Sequence, residues 1–180
     1  RYNLRQNVPP LSVVLGRTKK GGDYVALEER NGTAYHIIVH AGHRIEGYVQ
    51  HYLHDEAVTL NGSGFVADPA HFNQKVRITS RVGVNAETAY AAMVSAFPEI
   101  WTADHRGDGL ASILMEVQSV SQQSYLDTFP QQMPLHTAVM DGALLYDPRT
   151  ETTAFSTNIA LFRMFHLMHP SGGKLSLDDL

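Results

Sequence analysis

Cysteine is missing from this chain of 180 residues, and with it go disulfides, thiolate metal sites and cysteine nucleophiles. Charge is sparse as well. Asp, Glu, Lys and Arg make up 18% of the residues, against the usual quarter, as expected of a surface partly covered by partner subunits. The 14 Lys and Arg are outnumbered by 18 Asp and Glu, for a net charge of −4. Nucleic-acid binding draws most of its affinity from cations that displace condensed counterions, and this sequence lacks that footprint. The one basic tract, Arg17-Thr18-Lys19-Lys20, runs into Gly21-Gly22 and reads as a solvated turn. No apolar run approaches the ~20 residues that span a bilayer. The N-terminus, Arg1-Tyr2-Asn3-Leu4-Arg5, has neither an h-region nor an initiating Met. The C-terminal Lys174–Leu180 stops in what reads as the start of another element. One domain over 1–180, cut from a longer chain, is the expectation, with room for a second domain to begin near residue 150.

What is present is enough apolar material for a core, 43% of the residues, arranged mostly in the β manner. Leu11–Gly16 is a short apolar run, followed by the turn at Lys19–Gly22 and a strand over Asp23–Arg30. Asn31-Gly32 tolerates the positive φ of a type I′ hairpin turn, and Thr33–His40 returns as a β-branched strand. Ile45–Leu53 and Glu56–Leu60 form a further hairpin around His54-Asp55. Asn61-Gly62 is another hairpin-type turn, leading to strands over Gly64–Ala67 and Val76–Ser80.

The second half is mixed. Ala86–Phe97 reads as a short helix, with Asn85 as its cap and Pro98 as its stop. Leu110–Val120 is strand-like and Gln122–Met133 loop-like. Leu135–Tyr146 reads as two strands meeting at Asp141-Gly142. Ser156 or Thr157 then caps a helix over Asn158–Met168, with Ile159, Phe162, Phe165 and Met168 at helical spacing. Apolar residues nearly encircle that helix, which fits either a buried core element or packing against a neighbouring chain.

No residue is assigned a catalytic, cofactor-binding or metal-ligating role. His36, His40, His43, His51 and His54 are the densest histidine group, but a metal site needs imidazoles converging on one point. His36, His40 and His54 are expected on different strands or turns. Asp104-His105-Arg106 beside Gly107 and Gly109 reads as a polar turn after Trp101, the sole tryptophan, which is expected to be buried and to anchor it. Gly62-Ser63-Gly64 is too short for a nucleophile elbow. Gly21-Gly22 and Gly172-Gly173 form no phosphate-binding motif. The neighbouring carboxylates Glu28-Glu29 and Asp178-Asp179 would face apart on an extended chain, unlike a glycosidase pair.

The order of several blocks resembles the N-terminal part of the tail-tip or central-hub proteins of tailed phages, including the lambda-type host-specificity protein and the hubs of gene transfer agents. Leu15-Gly16-Arg17 with Gly21–Val25 resembles the family's opening, and Tyr35–Ala41, Glu46-Gly47 and Tyr52–Val58 follow in order. Trp101–Ala111 resembles its tryptophan block. Tyr146-Asp147-Pro148-Arg149 with Ser156–Leu161 resembles its tyr-asp-pro-arg block, although Ile159 stands where the family opens a helix with proline.

The resemblance implies a barrel-like α+β domain, predominantly antiparallel β, with short helices. It implies a non-enzymatic homotrimeric hub that closes the tail tube, assembles in the host cytoplasm and ends in the virion. Its partners would be the distal tail protein, the tape-measure protein and other tail-tip proteins, and genomic DNA would pass through without specific binding. The alternatives are a cell-wall hydrolase and a receptor- or carbohydrate-binding module of the tail tip. In the Tyr146–Arg149 turn, Asp147 can bond the backbone two residues on, and no partner for Arg149 can be read from the sequence.

Overall fold

The computed structural model describes residues 12–72, 74–131, 133–170 and 172–179. They form ten strands: β1 (Arg17–Gly21), β2 (Asp23–Arg30), β3 (Thr33–Ala41), β4 (Ile45–Leu53), β5 (Glu56–Leu60), β6 (Val66–Asp68), β7 (Val76–Arg81), β8 (Ala111–Gln118), β9 (His136–Asp147) and β10 (Thr152–Phe155). Three α-helices join them: α1 (Ala91–Ala96), α2 (Tyr125–Thr128) and α3 (Ile159–Met168). The chain is α+β and mainly antiparallel, the class expected.

The strands divide between two sheets. One has the order β1-β9-β4-β5-β6, with β10 also on β9; the other runs β2-β3-β8-β7. Every pairing is antiparallel. Tight turns fix this pattern. Asn31 and Gly32 sit at φ 52° and 77°, and His54 and Asp55 at 49° and 66°, so β2–β3 and β4–β5 close through turns with both central residues left-handed. Between the sheets, Ile38, Ile78, Ile113 and Met115 from one pack with Leu53, Val58 and Val66 from the other, around Phe72. The outer face of the four-stranded sheet is covered by α1, whose Met93 meets Tyr90, Phe97, Ile37 and Leu114.

The sheets do not close into the barrel that the resemblance implies. Among the described residues their backbones are joined at the bridge from Phe65 to Arg77, by the bond from the Ile45 N–H to the Val82 carbonyl, and at the corner where β1 passes into β2. Gly22 makes that corner: a Cβ there would overlap the Val39 carbonyl oxygen and the Ile38 side chain.

Four local expectations are corrected. The basic tract is not a turn but strand β1. Its cations find partners, with Arg17 on Asp141, Lys19 on Asp55 and the face of Tyr52, and Lys20 donating to the His40 carbonyl and Ser12 Oγ. Leu135–Tyr146 is not two strands but the single strand β9, because at Gly142 the chain from Val14 to Gly16 packs where a side chain would stand. The helix expected over Ala86–Phe97 is confined to Ala91–Ala96 and capped at Tyr90 rather than Asn85. His36 and His40, expected on different elements, share β3. The strand β10 and helix α2 were not expected at all.

Candidate functional site

Trp101 and the turn that follows it hold together by local bonds. The His105 ring lies against the indole with centroids 4.8 Å apart. His105 Nδ1 accepts from the Thr102 backbone N–H at 3.0 Å, and Arg106 pairs with Asp108 at 2.6 Å. Asp108 also accepts from the Glu87 N–H, and the Gly109 N–H donates to the Val84 carbonyl. Asp104, His105 and Arg106 are exposed and do not converge, so the triplet is a surface turn tied to the segment before α1. Trp101 is half-buried rather than buried. Its body packs beside the cluster of Ile37, Phe97 and Leu114, while its Nε1 is shut off from solvent with no acceptor among the described residues.

The second block ends β9. Asp147 Oδ1 accepts from the Arg149 backbone N–H at 3.0 Å, two residues on, and the carboxylate also takes the Arg149 guanidinium at 2.6 Å and 2.9 Å. The partner that could not be read from sequence is thus the turn's own carboxylate. The guanidinium beside it holds the Asp147 carboxyl down at about 2. Asn158, one residue beyond the expected cap, accepts from the Ala160 N–H and starts α3. Of that helix only Leu161 is buried, and Ile159 is 78% exposed. The bonds described here join no residue of the Trp101 block to the Tyr146–Arg149 turn.

The histidines that do assemble are a different set from the one dense in sequence. His40 from β3, His51 from β4 and His136 from β9 meet between the sheets, with ring centroids 5.2 Å apart for His40–His136 and for His51–His136. His51 Nδ1 lies 3.0 Å from His136 Nε2, and its Nε2 lies 3.2 Å from Ser80 Oγ. Tyr48 OH lies 3.2 Å from His40 Nδ1. Neutral rings can satisfy these contacts, with one ring of the His51–His136 pair donating to the other and Ser80 and Tyr48 each sharing a bond with a ring nitrogen. Burial lowers the imidazoles, His51 to about 4 and His40 to about 3, with Lys20 adding to the effect on His40. His136 is held well below its ordinary value by burial, then by His40 and His51. Uncharged, with His40 and His136 buried and His51 half-buried beside the exposed Ser80, this group is a polar element that runs from the core to its edge. Among the described residues no three His, Asp or Glu side chains are arranged to hold a metal ion.

His43 and His54 stand apart from the cluster. His43 Nε2 accepts from the Val14 N–H, and His54 lies in the β4–β5 turn. His136 could not have been picked from sequence, since only the β4–β9 register brings it beside His51. Alternating burial along β9 puts it on the inward face.

What these features define is an α+β protein of two facing antiparallel sheets, with its polar clusters engaged in holding turns and core together. No family model matches the sequence, and the search of curated proteins found no match. Among solved structures, the fold is similar to a chain in the virion of a native gene transfer agent (GTA) particle. The TM-score is 0.50 at 10% sequence identity, over 80% of this chain and 29% of that chain. The likeness is one of fold, and this chain corresponds to less than a third of that one.

Proposed function

We propose that this chain is a structural, non-enzymatic component of a phage-type tail or gene-transfer-agent particle, and within it part of the central hub at the distal tip. The observation that carries the reading is the fold shared with a chain of a gene transfer agent virion over 80% of the residues. The block order of the sequence, ending in Tyr146–Arg149, points to the hub. In this reading the chain is the N-terminal part of a trimeric hub. It meets the distal tail and tape-measure proteins in the virion, and assembly takes place in the host cytoplasm.

The surface chemistry supports a conduit that does not hold DNA. Six cations face carboxylates of the same chain: Arg17 faces Asp141, Lys19 Asp55, Arg30 Glu99, Arg77 Glu116, Arg106 Asp108 and Arg149 Asp147, whereas Arg44, Lys75, Arg163 and Lys174 have no such partner among the described residues. Each such pair cancels a contact that a phosphate would otherwise use. The deciding experiment is electron cryomicroscopy of purified particles carrying a tagged copy of the chain. Threefold density at the distal end of the tail is expected; absence of the tag from particles, or its location on the capsid, overturns the reading.

A further inference from the structure

Among the described residues the outer flank of β2 is open. The strand pairs with β3 on one side and with no other strand among the described residues. Backbone N–H and C=O groups along such an edge are a template for an incoming strand, and proteins usually blunt it with lysine or proline. Here it carries Val25 and Leu27, 50% and 51% exposed. Both line a groove of about 400 Å³ with Ile100 and Met133, themselves 50% and 42% exposed. An apolar patch gathered in one groove marks an interaction site more often than scattered apolar residues do.

The groove also holds unanswered polar groups. His36 lines it and is 2% exposed, yet neither ring nitrogen has a hydrogen-bond partner. Trp101, also in the lining, has its buried Nε1 without an acceptor. Among the described residues the groove therefore lacks a strand partner and an apolar cover. An extended polypeptide supplies both: its backbone pairs with β2, and alternate side chains cover Val25 and Leu27.

Charge narrows the occupant. Asp23, Glu28 and Glu29 lie along β2, and its one cation, Arg30, is engaged by Glu99. An edge that is acidic on balance favours an incoming strand that carries basic residues. We propose that the β2 groove docks an extended segment of a partner protein, with basic and apolar residues in alternation, by strand addition. The proposal does not depend on the tail-tip reading.

Trp101 is the only tryptophan, so the chain labelled with ¹⁵N has one indole N–H resonance to follow. It is titrated with a synthetic octapeptide of alternating lysine and valine. One control alternates glutamate and valine; the other has the lysines and valines in two blocks. The alternating lysine peptide should shift the indole resonance and slow exchange of the β2 amides, binding about tenfold tighter than either control. Leu27→Lys, at an exposed site, should weaken it by about tenfold with the remaining spectrum unchanged, and Glu28→Lys should erase the preference over the glutamate peptide. The proposal is overturned by an unmoved indole resonance, by equal response to all three peptides, or by an unaffected Leu27→Lys. Self-association of the unmodified chain that Leu27→Lys abolishes would give the edge to a second copy, and overturns it too.

Discussion

His51 and His136 share a hydrogen bond in the interior, Nδ1 to Nε2 at 3.0 Å, across 85 residues of sequence. The bond needs one ring nitrogen to carry a proton and the other to lack it, so it forms only between neutral rings or with one charged. Burial favours the neutral pair.

Acid should therefore unfold this protein early. An unfolded histidine takes its proton near pH 6.5, whereas His36 and His51 in the fold hold out to about 4 and His40 to about 3. Between those limits the unfolded chain binds more protons, so stability is greatest above pH 6.5 and declines as pH falls toward 4. Each such histidine contributes a slope of about 1.4 kcal/mol per pH unit within the window. Urea midpoints at pH 7, 6 and 5 measure it. A midpoint independent of pH over that range would mean that the rings are not held neutral.

Trp101→Ala should cost about 2 kcal/mol, less than the ~3–5 kcal/mol of a fully buried aromatic, because the indole is only half-buried. It also removes the surface on which His105 rests. Denaturant unfolding gives the first number. Loss of the ring-current shift on the His105 protons gives the second.

Gly142→Ala should destabilise by roughly 2–3 kcal/mol, since a Cβ would overlap the Val14 carbonyl and sit against the Gly16 oxygen. Neither atom can yield without breaking the bonds from Ala143 N–H to Val14 and from Gly142 N–H to Gly16. Alanine at Gly47, where nothing lies within 4 Å, serves as the control and should change the thermal midpoint little.

Arg149→Ala should release the Asp147 carboxyl from about 2 back toward ordinary carboxylate values. The turn should persist, because the backbone N–H of residue 149 still donates to Asp147. Carboxyl carbon shifts followed through an acid titration show the change directly.

Most of the first half of the fold was legible because turn chemistry brackets it. Asp23–Arg30 and Ile45–Leu53 end at residue pairs that take positive φ, and Glu56–Leu60 ends at Asn61, whose turn has its left-handed residue at Gly64; all three strands have the limits expected. Where the fold departed, a distant contact overruled a local signal. Gly142 reads as a turn until Val14 is laid against it, and Lys19-Lys20 reads as solvated until Asp55, Tyr52 and the His40 carbonyl are brought alongside. Of the polar features, the Asp147–Arg149 turn was readable because its bonds span two residues. The core histidines were not, since they come from three strands. The β2 groove was hidden for the same reason: Leu27, Trp101 and Met133 meet only in the folded chain.

Strand β9 has β4 along one flank from His136 to Ala143, while its other flank is divided between β1, from Thr137 to Asp141, and β10, from Leu144 to Asp147. A pull on the segment before β1 and a pull on the segment after β10 thus arrive at the same strand. Tension crossing the molecule would run from one to the other through the β1–β9 and β9–β10 ladders, and the four-stranded sheet, with its exposed β2 edge, would be left slack.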